Sequence, residues 1–273
     1  MNITFPDIEQ LDRFKQRINY PAIVQHIIDE KRVLMDWPKA LNKIDVTSTS
    51  AWKSYNLSSS ILSKNHAKFS DFFENGKQNI TIKIHVFTGL TNKEVIEEAI
   101  LLTGYTSMYD INMEYLENGP GDFYLYLDHW REGTGDNNAI CVYKNIIVEI
   151  TTPEDGTDVR PVAKLLADLM SVSLIEKNEV PKITYKMLYS AQEVKTGETF
   201  WVDILFPSAK NPENYKINFQ MDDLTKGLEH VKHEGSKYYL KASQAGSYQF
   251  EMWLMDKRTL ITETVSFTVT VKN

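Results

Sequence analysis

Acidic and aromatic side chains alternate in one short segment near the middle of the chain. If residues 122–128 form a strand, every second side chain lies on the same face, so the two tyrosines of the segment share a face with its two aspartates. Aromatic rings stack on the C–H faces of sugars, whose hydroxyl groups hydrogen-bond to carboxylates. The segment therefore predicts a ligand-binding site for a glycan or polyol. Its candidate residues are Asp122, Tyr124, Tyr126, Asp128, Trp130 and Glu132.

Two other interpretations of this segment stay open. Two carboxylates about 5–10 Å apart can act as the acid and base of a glycosidase, so the three acids of the segment could belong to a carbohydrate-active hydrolase. Alternatively, Tyr124 and Tyr126 are cross-strand packing partners on a half-exposed sheet, an arrangement that the β-propensity of tyrosine favours. We name no catalytic residue, and we expect a binding protein more than an enzyme.

The motifs that mark common enzyme classes are absent from the sequence. It contains no nucleophile elbow, no phosphate-binding P-loop, no dinucleotide-binding glycine pattern and no zinc-protease helix motif. The single cysteine, Cys141, lies in an apolar run, which predicts a buried and unreactive thiol. We therefore predict no cofactor.

A second group of candidate ligands lies near the C-terminus. His230 and His233 could hold a metal ion together with Glu234. However, side chains three residues apart point to opposite sides of a strand, and the flanking sequence is typical of strand and loop. We therefore predict exposed histidines and no metal site. The acidic stretches 136–138 and 154–158 lack the spacing of a calcium-binding EF-hand, and they are interpreted as a turn and a helix N-cap.

The net charge of −7 is unevenly distributed along the chain. Residues 110–158 contain eleven acidic side chains and two basic ones, a local charge of −9, whereas residues 179–273 contain twelve of each sign. A negative field of this kind repels phosphate backbones, so we expect no nucleic-acid partner. No run of about 18 apolar residues is present, so we expect no membrane insertion.

Hydrophobic periodicity predicts an α+β domain over residues 1–178. Apolar residues at helical spacing predict helices over 6–17, 21–35, 92–103 and 158–171. A strand with period-two alternation begins at Ile80, and four more short strands follow the third helix. This arrangement predicts an antiparallel sheet with helices on one face. The order of elements from Ile80 to Ser171 also resembles the two-layer sandwiches of the PsbP/Mog1-like group.

Residues 179–273 contain only strand signals, about seven in some ninety residues, which predicts a β-sandwich. Residues 245–250, a turn at Asp256 and the alternating run 265–271 resemble the closing strands of Ig-like, PKD-like and cadherin-like modules of bacterial surface proteins. Residues 194–200 resemble the opening turn of the same modules. The resemblance covers residues 182–273 and implies a spacer or a binding platform.

Together these patterns predict a non-enzymatic, two-domain binding protein, bacterial and exported to the cell surface, whose α+β domain binds and whose Ig-like domain acts as spacer or platform. The expected partner is a glycan or another protein. The alternatives are the hydrolase described above and a cytoplasmic or secretion-apparatus assembly component. A cytoplasmic location is expected if the chain is complete, and an exported one if a leader has been removed. The oligomeric state is not specified by the sequence.

Overall fold

The computed structural model describes residues 8–41, 53–54, 58–75, 78–106, 111–128, 137–152, 158–207, 211–220 and 227–273. The protein is mixed α+β with several antiparallel sheets. The chain divides into two compact units, Met1–Ser60 with Asn65–Val180 and Ile61–Lys64 with Pro181–Asn273. We refer to them as the α+β unit and the β unit. In the described part of the chain, no helix has the length and apolarity that a membrane crossing requires.

Helices in the described part of the α+β unit include α1 Ile8–Arg17, α2 Tyr20–Val24, α3 Asn92–Thr106 and α4 Arg160–Ser171, and residues 37–41 are also helical. Its strands are β1 Lys31–Val33, β2 Lys53–Ser54, β3 Ser58–Ser63, β4 His66–Asn75, β5 Gln78–Phe87, β6 Glu114–Tyr115, β7 Phe123–Asp128, β8 Asn137–Tyr143, β9 Ile146–Thr152 and β10 Leu174–Glu176. The end of β3, from Ile61 on, is grouped with the β unit. A short 3-10 helix, Lys177–Glu179, follows β10.

An eight-stranded antiparallel sheet forms the centre of this unit. Its strand order is β2-β4-β5-β9-β8-β7-β6, and β3 pairs with the same strand β4 as β2 does. A separate two-stranded sheet pairs β1 with β10. The predicted helix over 21–35 was wrong for residues 31–33. These residues form strand β1, because their backbone groups pair with Leu174–Glu176, far along the sequence.

Helix α3 confirms the strongest local prediction. The carboxylate of Glu94 accepts hydrogen bonds of 2.7 Å from the backbone N–H and the hydroxyl of Thr91, and the Glu94 N–H donates to that hydroxyl in return. This capping box satisfies two N–H groups that would otherwise lack partners at the start of the helix. Helices α1 and α3 pack on one face of the sheet, and the residues of this core include Phe14, Ile96, Ile100, Phe123, Leu125, Val142 and Ile147.

Helix α4 covers the opposite face of the sheet, so the prediction of helices on one face was wrong. The guanidinium of Arg160 lies 5.2 Å from the ring centre of Tyr126, and Tyr126 points away from the core that contains Leu125. The physical reason lies in the strands themselves. Six of the seven residues of β9 are buried, so both faces of the sheet need cover.

Eight strands lie in the described residues of the β unit after Pro181: β11 Lys186–Tyr189, β12 Glu193–Lys195, β13 Thr199–Leu205, β14 Tyr215–Gln220, β15 Leu228–Glu234, β16 Lys237–Ala242, β17 Gly246–Asp256 and β18 Thr262–Lys272. A 3-10 helix, Pro212–Asn214, precedes β14. One sheet has the order β11-β13-β16-β15 and the other β12-β18-β17-β14. The β12–β18 pair is parallel, and every other pair is antiparallel.

The two sheets of the β unit face each other. The rings of Phe219 on β14 and Tyr238 on β16 stack with centres 5.3 Å apart. Tyr189 on β11 contacts Phe267 on β18 at 5.2 Å. Alternate residues of β13 and β18 are buried, as expected for strands with one face in a core and one in solvent. The core of this unit therefore lies between the two sheets.

Candidate functional site

Tyr124 and Tyr126 share a face of β7, as the alternation predicts, but neither ring is open to solvent. Their exposed fractions are 2% and 8%. Helix α4 covers them, and a Cβ at Gly119 would collide with the Tyr124 ring. These two tyrosines therefore do not form the exposed aromatic platform that the sequence suggested, because the sheet is covered on this side as well.

The carboxylate of Asp122, just before β7, makes hydrogen bonds within the α+β unit. Its carboxylate accepts hydrogen bonds from the backbone N–H of Lys144 at 2.7 Å and from its Nζ at 2.9 Å. It also accepts one from the side-chain amide of Asn92 at 3.1 Å. Asp122 thus joins the β8–β9 turn to the first residue of α3, and its oxygens are already in use.

The remaining candidates of that segment lie beyond the part that the structure describes. The side chain of Asp128, together with Trp130 and Glu132, belongs to the undescribed residues, as do most residues of the two acidic stretches considered for calcium. Their ligand-binding roles stay predictions. Cys141 is buried, its thiol donates to the carbonyl of Pro120, and burial raises its pKa. The prediction of a buried thiol is confirmed.

A chain of hydrogen bonds crosses three strands on the face of the sheet that carries α3. His66 on β4 shares a 2.8 Å hydrogen bond with His85 Nδ1 on β5, and His85 Nε2 lies 2.5 Å from Glu149 Oε1 on β9. Lys83 Nζ lies 3.3 Å from the other oxygen of Glu149. His85 and Glu149 are only 3% and 6% exposed, whereas His66 is half-buried. We call His66, His85 and Glu149 the His–Glu chain.

Opposing effects set the charge states of this chain. Burial raises the pKa of Glu149, but the hydrogen bonds and positive charges of His85 and Lys83 outweigh it and hold the pKa below the ordinary value. Burial and the neighbouring charges of His85 and Lys68 lower the pKa of His66 to about 3, against a smaller opposing effect of Glu149. At neutral pH Glu149 is therefore ionised and His66 is neutral.

These charge states limit where the protons lie. An ionised Glu149 can only accept, so His85 donates to it from Nε2. The hydrogen bond between His66 Nε2 and His85 Nδ1 holds one proton, which leaves His66 Nδ1 as the outer nitrogen of the chain. Within the described ranges no residue hydrogen-bonds to this atom. The chain ends in a free imidazole nitrogen.

Three further polar side chains lie along the same face of the sheet. Lys68 lies directly opposite His85, and Ser70 lies opposite Lys83, which in turn lies opposite Glu149. The side chains of Lys68, Ser70 and Lys83 are half-buried. We call these three residues and the His–Glu chain the polar face. It offers the ammonium group of Lys68, that of Lys83, which pairs with Glu149, one hydroxyl and one imidazole nitrogen. In the described residues no three ligand-type side chains converge to hold a metal ion.

The polar face is absent from the residues predicted from the sequence, although the sequence contains one signal for it. Glu149 is the one charged residue in the apolar strand of residues 146–150, and a buried carboxylate requires a partner. His85 alternates with isoleucines on another strand. The cross-strand register that joins the two cannot be read from the sequence, because residues 85 and 149 are far apart in the chain.

No protein-family model matches the chain, and neither does any curated protein sequence.

Proposed function

We propose that the chain is a non-enzymatic binding protein in which the α+β unit binds a ligand through the polar face and the β unit, as an Ig-like module, serves as spacer or platform. The proposal rests on the His–Glu chain, in which the buried His85 and Glu149 hold the neutral imidazole of His66 in place on the sheet. Buried polar groups are costly unless they are fully paired. A binding role of His66 would explain why the fold keeps this buried polar pair.

The strand order of the β unit supports its assignment as an Ig-like module. With β11 to β18 labelled A, A′, B, C, D, E, F and G, one sheet has the order A-B-E-D and the other A′-G-F-C. Constant-type Ig domains have strands A, B, E and D in one sheet and C, F and G in the other.

A second feature of Ig-like domains is found near the start of strand F. The hydroxyl of Tyr248 donates to the carbonyl of Gln244 at 3.1 Å, which is the backward bond of a tyrosine corner. Phe250, two residues later, packs between Phe219 and Phe267, at a position that carries a cysteine in disulfide-linked Ig domains. These contacts favour an Ig-like core held by aromatic packing.

The charge states favour binding over catalysis. A general base works best when its pKa is near the operating pH, and the pKa of His66 at about 3 lies far below it. Glu149 is engaged by His85 and Lys83 on both oxygens, so it is not free to act as a nucleophile. His66 is thus suited to hydrogen-bond a ligand as a neutral ring and poorly suited to take up a proton.

The groups on the polar face indicate the chemistry of the ligand. The Lys68 ammonium attracts a carboxylate or sulfate, and the His66 imidazole and the Ser70 hydroxyl suit the hydroxyl groups of a sugar. An acidic glycan brings both kinds of group. We therefore propose an acidic oligosaccharide as the ligand class.

A glycan array of neutral, uronate-containing and sulfated oligosaccharides tests this proposal on the intact chain. We expect binding to acidic glycans that falls about tenfold or more in Lys68→Ser and in His66→Gln, because a charged hydrogen bond contributes about 1.5–3 kcal/mol. Lys186→Ser, which removes an exposed lysine of the β unit, is the matched control and should bind like the wild type. Silence on every glycan, or equal binding by all variants, would contradict the proposal.

A further inference from the structure

The edge strand β15 of the β unit carries two histidines that the sequence analysis expected on opposite sides. His230 and His233 are three residues apart, and a regular strand would separate their side chains. The pairing of β15 with β16 is not regular, because the register shifts between His230 and Lys232. Val231 is the extra residue of a β-bulge, and it is exposed.

The bulge brings both imidazoles to the same side of the strand. His230 lies opposite Leu240 and His233 lies opposite Tyr238, two residues apart on β16. Residues two apart on a strand share a face. The two rings are accordingly neighbours, with centres 5.8 Å apart and planes inclined by 22°. The expectation that residues 230 and 233 point to opposite sides was therefore wrong, because the bulge shifts the register between them.

The ring separation matches that of two imidazoles bound to one ion. A ligating imidazole nitrogen lies about 2.0–2.1 Å from Zn²⁺, which puts the ring centres of two such ligands about 5–6 Å apart. Both histidines are exposed, so their rings can turn toward a shared ion. The ring of Tyr238 lies next to both imidazoles, at 6.0 and 5.7 Å between centres.

Glu234 does not complete this set. Its carboxylate binds Lys232 Nζ at 2.6 Å and accepts from the Tyr239 hydroxyl at 3.1 Å. Lys232 and Glu234 lie opposite Tyr239 and Lys237, on the other face of the sheet from the histidines. His230 and His233 therefore supply two protein ligands. Water or a group from another molecule must complete the coordination of a bound ion.

We propose that His230 and His233 form a two-histidine site for a divalent transition ion of the kind that prefers imidazole, such as Zn²⁺, Ni²⁺ or Cu²⁺. The site is in the β unit and is independent of ligand binding at the polar face. Hard cations such as Mg²⁺ prefer oxygen ligands and are not expected to bind here.

Calorimetric titration of the metal-free intact protein with Zn²⁺ alone, and separately with Mg²⁺, tests this site. We expect one Zn²⁺ per chain and no binding of Mg²⁺. His230→Gln and His233→Gln should each weaken Zn²⁺ binding at least about tenfold, because loss of even an outer partner of a metal ligand costs about 10–100-fold. The matched control is His26→Gln, which removes another exposed histidine and should leave binding unchanged.

Deletion of Val231 tests the geometric premise without removing a ligand. The deletion converts the pair to a spacing of two on a regular strand, where the histidines still share a face, so a folded variant should keep its Zn²⁺ affinity. Histidine NMR signals identify which rings respond to the ion. The proposal is overturned if both single variants bind Zn²⁺ like the wild type, if His26→Gln weakens binding equally, or if the folded deletion variant binds no Zn²⁺.

Discussion

Tyr124 shows how a residue chosen for its chemistry can serve packing instead. Its ring is buried beneath α4, and its hydroxyl has no hydrogen-bond partner within the described residues. Burial raises the pKa of this hydroxyl, so it stays protonated. A buried hydroxyl without a partner costs free energy that an apolar ring would not. Tyr124 therefore carries a polar atom that the fold does not use.

Tyr124→Phe should raise the free energy of unfolding by about 1 kcal/mol, because it removes an unpaired buried hydroxyl. Tyr20→Phe is the matched control, since the Tyr20 hydroxyl donates to Glu97 at 3.0 Å and its loss should lower the free energy of unfolding by about 1–2 kcal/mol. Urea unfolding of both variants provides the measurement. A clear loss of stability in Tyr124→Phe would mean that this hydroxyl has a partner.

At the scale of elements, α4 decides what the sheet can present. Its residues Ala163, Leu166, Ala167 and Met170 are buried, and they close the face on which the tyrosines lie. The open polar surface is consequently on the other side, beside α3. Because α4 covers the tyrosine face of β7, the candidate site lies on β4, β5 and β9 and not on β7 as the sequence predicted.

Leu166→Ala should lower the free energy of unfolding by about 2–5 kcal/mol, because Leu166 is fully buried and its truncation leaves a cavity against the sheet. Val172→Ala, just beyond the same helix and 82% exposed, should change it by less than about 0.5 kcal/mol. Denaturant unfolding followed by circular dichroism measures both. Equal effects of the two variants would contradict the packing of α4 on the sheet.

The elements that the sequence predicted well are those defined by local chemistry. The Thr91–Glu94 capping box lies within four residues, and the alternation in β5 is visible in the sequence itself. The features that it missed depend on pairing between distant residues. The His–Glu chain needs the register of three strands, and the side shared by His230 and His233 needs a bulge that no spacing rule indicates.

At the scale of the whole molecule, the two units differ in how their ionisable groups are placed. The α+β unit contains carboxylates held below their ordinary pKa by partners, including Asp29, whose pKa is about 2, and Glu149. Asp29 is partly desolvated, which raises its pKa, but Arg32, Lys177 and the Asn92 N–H outweigh that effect. In the described β unit, the carboxylate with a lowered pKa is the exposed Glu234.

Acid should therefore unfold the α+β unit before the β unit. The pKa of His66 in the folded protein, about 3, lies below the ordinary value of 6.5. As the pH falls, the unfolded chain therefore takes up a proton at His66 before the folded protein does, and the free energy of unfolding decreases between about pH 6.5 and 3. Glu149 and Asp29 act in the same direction below about pH 4.5. Amide signals followed by NMR during a pH titration report on each unit separately.

His66→Gln removes one of these titrating groups and should make the loss of stability between pH 6.5 and 4.5 less steep. Loss of the signals of the β unit first, or simultaneous loss of both sets, would contradict the assignment of acid sensitivity to the α+β unit.

The parallel pairing of β12 with β18 has a mechanical consequence for the β unit. Backbone bonds at Thr196 N to Lys272 O and at Thr270 N to Gln192 O connect the two strands, and a Lys272–Glu193 ion pair joins their side chains. Because the strands run in the same direction, tension applied between Pro181 and Asn273 pulls them past each other along their length. The connecting bonds then bear the force together instead of opening one after another, so this module is built to resist extension.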